Sequence, residues 1–165
     1  MTQLNIFYDK NEVAVLKYEP TDDSFSLEYN ETWKINGFEL SPHMKFDSVI
    51  TSTVIKNFIE NLLPEGKGRE ILTTMYHISK NNLFAFIQLI GKDTAGALTF
   101  SLENKTLDTS FREISNTELI NRIKNRKNIP IAIWDGNVRL SIAGVQDKLP
   151  ITILDGKYGF AQGNL

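Results

Sequence analysis

Cysteine is absent from all 165 residues. Disulfides and thiolate metal sites are therefore excluded, and a reducing compartment is compatible. Histidine is nearly absent too: His43 and His77 stand 34 positions apart with no carboxylate pattern and no third ligand, so a zinc site is not expected. Neither a Ser-His-Asp order nor a paired-carboxylate spacing points to hydrolysis. Charge of one sign is lacking as well. Eighteen Lys and Arg against twenty Asp and Glu leave a net charge of −2, which gives no electrostatic footprint for nucleic acid or anionic membrane. No apolar run approaches the ~18 residues of a membrane span. The start, Met1-Thr2-Gln3-Leu4-Asn5, has neither the basic nor the apolar region of a secretion signal. A cytoplasmic chain is the expectation, without direct nucleic-acid or membrane contact.

What is present is the composition of a globular chain, 41% hydrophobic and 23% charged, the size of one domain or of one lobe of a larger protein. Leu4, Ile6 and Tyr8 alternate with polar residues up to a turn at Asp9-Lys10-Asn11, and Val13, Val15 and Tyr18 resume the extended pattern. Ser24–Tyr29 alternates again after a loop at Pro20–Asp23. These segments predict an antiparallel meander. Phe38–Ser41 is a candidate short strand before Pro42.

Three helices should follow. The first, capped by Ser52 or Thr53, carries Val54, Ile55, Phe58, Ile59, Leu62 and Leu63 at helical spacing and ends at Pro64. The second spans Arg69–Ile78 with Ile71, Leu72, Met75 and Tyr76 as its inward stripe, and His77 near its end suits the helix dipole. The third, Leu83–Ile90, is capped by Asn82 and stopped by Gly91. Thr94–Phe100 reads as a strand returning to the sheet. Asn61, Glu65, Arg69 and Asp93 are polar residues in apolar or glycine-marked surroundings, expected to make hydrogen bonds at the helix corners.

Residues 103–112 are polar and expected to be irregular. Ser115-Asn116-Thr117-Glu118 has the form of a capping box. The helix it opens should reach about Arg126 with Leu119, Ile120 and Ile123 inward. Arg122, Lys124, Arg126 and Lys127 at its end read as a dipole complement on a solvated face. A composition shift over 128–136 marks a boundary, and 137–160 is strand and turn. The fold class is α+β: a small antiparallel sheet with packed helices, then a β-hairpin opening a further lobe. The divisions are 1–110, 111–136 and 137–165.

The stretch Arg139–Lys148 holds Gly144 between two extended runs, with Ser141 on one side and Lys148 on the other. A glycine lets backbone N–H groups approach a phosphate with no Cβ in the way. The Walker pattern is absent, and an ordinary hairpin with a polar tip remains open on these residues alone.

Ser141-Ile142-Ala143-Gly144-Val145-Gln146-Asp147-Lys148 resembles the S-x-A-G-x-Q-x-K loop of HipA-type serine/threonine kinases, the toxins of bacterial toxin–antitoxin modules. Two further stretches support the resemblance. Phe58–Gly66 with Arg69 is similar to the F-x-N-L-L-P-E-G-x-x-R signature of that family's N-terminal subdomain, and Gly91–Leu98 to its G-x-D-x-x-G-A-L turn.

The resemblance implies that Ala143, Gly144, Val145, Gln146, Asp147 and Lys148 cover ATP phosphates, and that Ser141 is an autophosphorylation site whose charge ejects the loop. It places the catalytic lysine, the catalytic aspartate and the Mg²⁺-binding residues outside this sequence. ATP and Mg²⁺ are then expected only in a complete kinase, with no cofactor tightly held by this chain. The whole kinase would phosphorylate a protein such as an aminoacyl-tRNA synthetase, restrained by a DNA-binding antitoxin of the HipB type, with persistence as the cellular outcome.

Three readings stand. The chain is the N-terminal part of such a kinase, either a truncated product or one half of a split system, working with a catalytic lobe in cis or in trans. It is an antitoxin-like inhibitor that binds a kinase core in trans. Or it is a remnant without activity.

Overall fold

The computed structural model describes residues 1–92, 94, 96–104, 110–128 and 149–162. Strands β1 (Thr2–Tyr8), β2 (Asn11–Glu19) and β3 (Ser24–Tyr29) form the expected meander. The first turn is two residues long, Tyr8 pairing with Asn11, with Asp9 in the left-handed region at φ 53°. β4 (Leu98–Ser101) pairs antiparallel with β1, which gives the order β3-β2-β1-β4.

Helix α2 (Ser52–Leu62) packs on β3, and its buried face is Ile55 and Ile59. Its cap is Thr51, whose hydroxyl accepts from the Val54 N–H, rather than Ser52 or Thr53. The Ser52 hydroxyl is engaged elsewhere. It accepts from the Phe25 N–H at 2.9 Å and so ties the helix start to β3.

α3 (Gly66–Tyr76) and α4 (Leu83–Ile90) follow. Asn82 caps α4 as its sequence suggests, accepting from the Ala85 N–H at 3.0 Å. Phe84, Phe86, Ile87 and Ile90 of α4 join Leu4, Ile6, Leu16, Leu72 and Phe100 in one core. α3 departs from its expected bounds and stripe. It starts three residues early, ends at Tyr76, and leaves Met75 and Tyr76 exposed, with His77 capping it at φ 54°. Only Leu72 of the stripe is fully buried. The face that meets α4 is shared with Arg69, whose guanidinium sits 5.1 Å from the centre of the Phe86 ring.

The segment expected as a strand at Phe38–Ser41 is irregular, and a six-residue helix α1 (Glu31–Asn36) precedes it. The Tyr29 hydroxyl explains the loop: it donates to the Met44 carbonyl at 2.6 Å and accepts from the Leu40 N–H at 2.9 Å. That N–H is thereby withdrawn from any ladder.

The returning strand begins at Leu98 rather than Thr94. The Thr94 hydroxyl donates to the Leu98 carbonyl at 2.6 Å, closing a turn in which Gly96 takes φ 143°. Gly91 has a different role, with φ in the ordinary helical region. A Cβ placed there would lie 2.5 Å from the Ile87 carbonyl oxygen and 2.7 Å from both Cβ and O of Phe100.

A second sheet, order β5-β7-β6, consists of β5 (Ser110–Glu113), β6 (Thr152–Leu154) and β7 (Lys157–Gln162). β5 lies for all but its last residue within the stretch expected to be irregular. It becomes a strand because β7 offers it an antiparallel partner, Arg112 facing Phe160. Asp155 and Gly156, at φ 50° and 75°, make the tight β6–β7 turn, the geometry that favours Asp-Gly between strands.

α5 (Asn116–Asn125) has Ser115 as its cap, as the capping box implies. Its inward face is not the expected one. Ile120 and Ile123 are exposed, and Arg122, expected on a solvated basic face, is fully buried.

Candidate functional site

The residues singled out for phosphate contact, Ala143, Gly144, Val145, Gln146, Asp147 and Lys148, lie outside the described residues, as do Ser141 and Asp93. What the structure describes is the chain on either side of them. Past α5 the chain is described as far as Asn128, whose N–H donates to the Asn125 carbonyl at 2.9 Å, and again from Leu149, three residues before β6.

α5 and the second sheet meet through a charged cluster. Glu118 accepts from both nitrogens of the Arg112 fork at 3.0 and 3.2 Å, and from Nε and a terminal nitrogen of Arg122 at 3.2 and 2.9 Å. Both guanidiniums lie over the Phe160 ring, 5.1 and 4.8 Å from its centre. One carboxylate and one aromatic face thus serve two cations from opposite elements. Hydrogen bonding from Arg112 holds the Glu118 carboxyl below the ordinary glutamate range against the opposing effect of burial, with Arg122 adding to it.

The backbone joins the same elements, the Ile114 N–H donating to the Tyr158 carbonyl at 2.8 Å. Lys157 reaches Glu113 at 2.8 Å, and the Phe111 ring packs on Gly159.

At the helix corner, Arg69 meets the expectation of a structural role. Its guanidinium donates to both oxygens of Glu60 and, at 2.8 Å, to the Lys80 carbonyl. Asn61 and Glu65 do not meet it in that form: both are exposed, and the Glu65 side chain makes no capping hydrogen bond.

Among the described residues, no group of three or more His, Cys, Asp or Glu is placed to hold a metal ion. No described helix is long and apolar enough to cross a membrane. The cluster itself was missed in the sequence. The Glu118–Arg122 spacing of four was a signal for one half of it. The other half depends on the pairing of Arg112 with Phe160 across two strands.

Comparison with known proteins places this geometry. Residues 4–101 match the family model of the HipA N-terminal domain. The serine/threonine-protein kinase toxin HipA of Shewanella oneidensis is 42% identical over 154 residues, 93% of this chain and 36% of that protein. A putative kinase, Y4mE, of Sinorhizobium fredii is 26% identical over 93% of this chain and 39% of its own length. The solved complex of Shewanella oneidensis HipA with HipB and operator DNA contains a chain that superposes with a TM-score of 0.79 at 40% identity, covering 97% of this chain and 38% of that one. The chain spans little more than a third of the length of these relatives. With the family model covering more than half of it, the chain belongs to the HipA family and carries its N-terminal domain.

Proposed function

We propose that this chain supplies the ATP-phosphate-covering loop and a docking surface to a HipA-type serine/threonine kinase, and does not phosphorylate anything alone. The observation that carries the proposal is the extent of the match to the Shewanella toxin kinase. It covers 93% of this chain, leaving fewer residues unmatched than the seventeen that follow Lys148.

The donor set suits a polyanion. Gly144 allows close backbone approach, the N–H groups of Ala143–Lys148 are donors, and Lys148 adds a positive charge. ATP with Mg²⁺ is the ligand of the assembled kinase, and the described residues supply no Mg²⁺ cluster. Ser141 is then the residue whose phosphorylation displaces the loop, because ~1.5–2 added negative charges oppose a bound triphosphate. The division into 1–110, 111–136 and 137–165 makes the last segment the opening of the kinase core. By analogy with the Shewanella complex, a HipB-type antitoxin is the partner of the complete assembly, and its substrate is a protein such as an aminoacyl-tRNA synthetase.

The experiment mixes this chain with the purified catalytic lobe of a HipA-type kinase and follows ATP turnover. Restored turnover supports the proposal. Loss of a lobe's own turnover would replace it with inhibition in trans, and absence of any binding would overturn both.

A further inference from the structure

We infer that Asn36 is a site of slow self-modification, its side-chain amide converted to an aspartyl or isoaspartyl carboxylate by attack of the Gly37 nitrogen when α1 opens. Of the asparagines in the sequence, Asn36 alone precedes a glycine. A glycine nitrogen is the least hindered neighbour such an amide can have, because no Cβ stands beside it. Asn36 is exposed and is the last residue of α1, so water reaches its side chain. The fold keeps the glycine there: a Cβ at Gly37 would fall within the Trp33 ring. That ring is pinned. Its Nε1 donates to the Phe38 carbonyl at 3.0 Å, and it packs against Phe38 and Tyr8 with ring centres 5.1 and 5.8 Å apart.

The fold also holds the reaction back. The Gly37 N–H donates to the Trp33 carbonyl at 2.6 Å, and a helical ψ at Asn36 does not bring that nitrogen to the side-chain carbon. Attack therefore waits on opening of the last turn of α1. This helix is six residues long and buries none of them, too short to stand by itself and of the weakly held kind that opens locally. Its start is secured by Asn30, whose side chain accepts from the Thr32 N–H at 2.9 Å and from the Thr32 hydroxyl at 2.6 Å. Once the turn is open, the Gly37 nitrogen bonds to the Asn36 side-chain carbonyl carbon and gives its proton to solvent, while the bond to the side-chain nitrogen breaks and ammonia leaves. Water then opens the cyclic imide at either carbonyl, giving aspartate or, with the main chain routed through the side chain, isoaspartate. Both products carry a new negative charge, and the second lengthens the backbone beside the Trp33, Phe38 and Tyr8 rings.

The test incubates the full chain in mildly alkaline buffer, folded and in urea, and follows Asn36 by peptide mapping and isoaspartyl methyltransferase labelling. The expected result is conversion at Asn36 in the folded chain, slower than in urea by about tenfold or more. Asn30→Ala removes the cap and leaves Asn36 and Gly37 in place. It should raise the folded-state rate about threefold or more and leave the rate in urea unchanged. No conversion in the folded chain while the urea sample converts overturns the inference. So does a folded rate equal to the unfolded one, or a folded rate that Asn30→Ala does not alter. Should Asn30→Ala fail to fold, the unaltered chain in urea below its unfolding midpoint decides: a rate that rises only with global unfolding overturns the inference, and one that rises before it supports opening of α1.

Discussion

Replacing Gly91 by alanine tests how closely α4 and β4 approach. The backbone at Gly91 is helical, at φ −58°, so alanine meets no conformational penalty and in isolation should help slightly, by about 0.4–1 kcal/mol. The obstacle is space. The new methyl would lie 2.5 Å from the Ile87 carbonyl oxygen and 2.7 Å from the carbonyl oxygen and Cβ of Phe100. Backbone atoms cannot rotate aside, so β4 must draw back from α4. That strains the hydrogen bond from the Phe100 N–H to the Gly91 carbonyl, now 2.7 Å, a contribution of about 1 kcal/mol. It also loosens Phe100, 2% exposed, where overpacking costs about 1–3 kcal/mol. The net expectation is a loss of about 2–3 kcal/mol, or a fall in melting temperature of roughly 4–12 °C for a chain of this size. Denaturant unfolding followed by far-ultraviolet circular dichroism measures it. Gly96→Ala is the contrasting control: at φ 143° with open space around it, any loss there comes from backbone strain, about 1–3 kcal/mol. A Gly91→Ala chain as stable as the original would refute the close approach of helix and strand.

Glu118→Gln should cost about 2–4 kcal/mol in urea titration, because it removes the carboxylate that accepts from both Arg112 and the buried Arg122. The Glu118 carboxyl is depressed in the folded chain, so its contribution is present above about pH 4.5 and lost as pH falls through the folded value. The acid limb of a stability–pH curve should therefore be shallower in Glu118→Gln than in the parent. Tyr29→Phe leaves the Met44 carbonyl and the Leu40 N–H without their shared partner. A loss of about 1–3 kcal/mol is expected, with faster amide exchange at Leu40 as its local signature. Leu72→Ala, fully buried, should cost about 2–5 kcal/mol. Met75→Ala, three residues on and exposed, should stay within about 0.5 kcal/mol in the same melts. Equal effects would mean the inward face of α3 is the one its sequence suggests.

Legibility in the sequence followed the range of the forces involved. The meander and the limits of α4 were readable because alternation, the Asn82 cap and the Gly91 stop are local signals. Thr51 was passed over because the Ser52 hydroxyl was committed to a strand 27 residues earlier, which nothing nearby reveals. The same holds for Phe38–Ser41, where one tyrosine hydroxyl from β3 holds the backbone out of any ladder. In α5 the hydrophobic pattern pointed to Ile120 and Ile123, whereas the surface it meets is the face of the Phe160 ring, which favours a cation, with Glu118 bridging Arg122 and Arg112. The three stretches that resemble HipA kinases pointed to the family more surely than periodicity did. Those at Phe58–Gly66 with Arg69 and at Gly91–Leu98 also have physical reasons visible in the fold: Arg69 bridges the corner between helices, and Gly91 admits a strand at close range.

β1 pairs with β4 only when Asn5 meets Ser101 and Tyr8 meets Leu98, yet it leaves the ribosome before the other strands described here. At roughly 5–20 residues per second, its second edge waits on the order of ten seconds for a partner while β2 has already closed the first. During that interval the nascent chain presents an open ladder to any other extended segment nearby. The helices made meanwhile, two of them bearing the family's signature residues, are thus also the scaffold that carries the missing strand home.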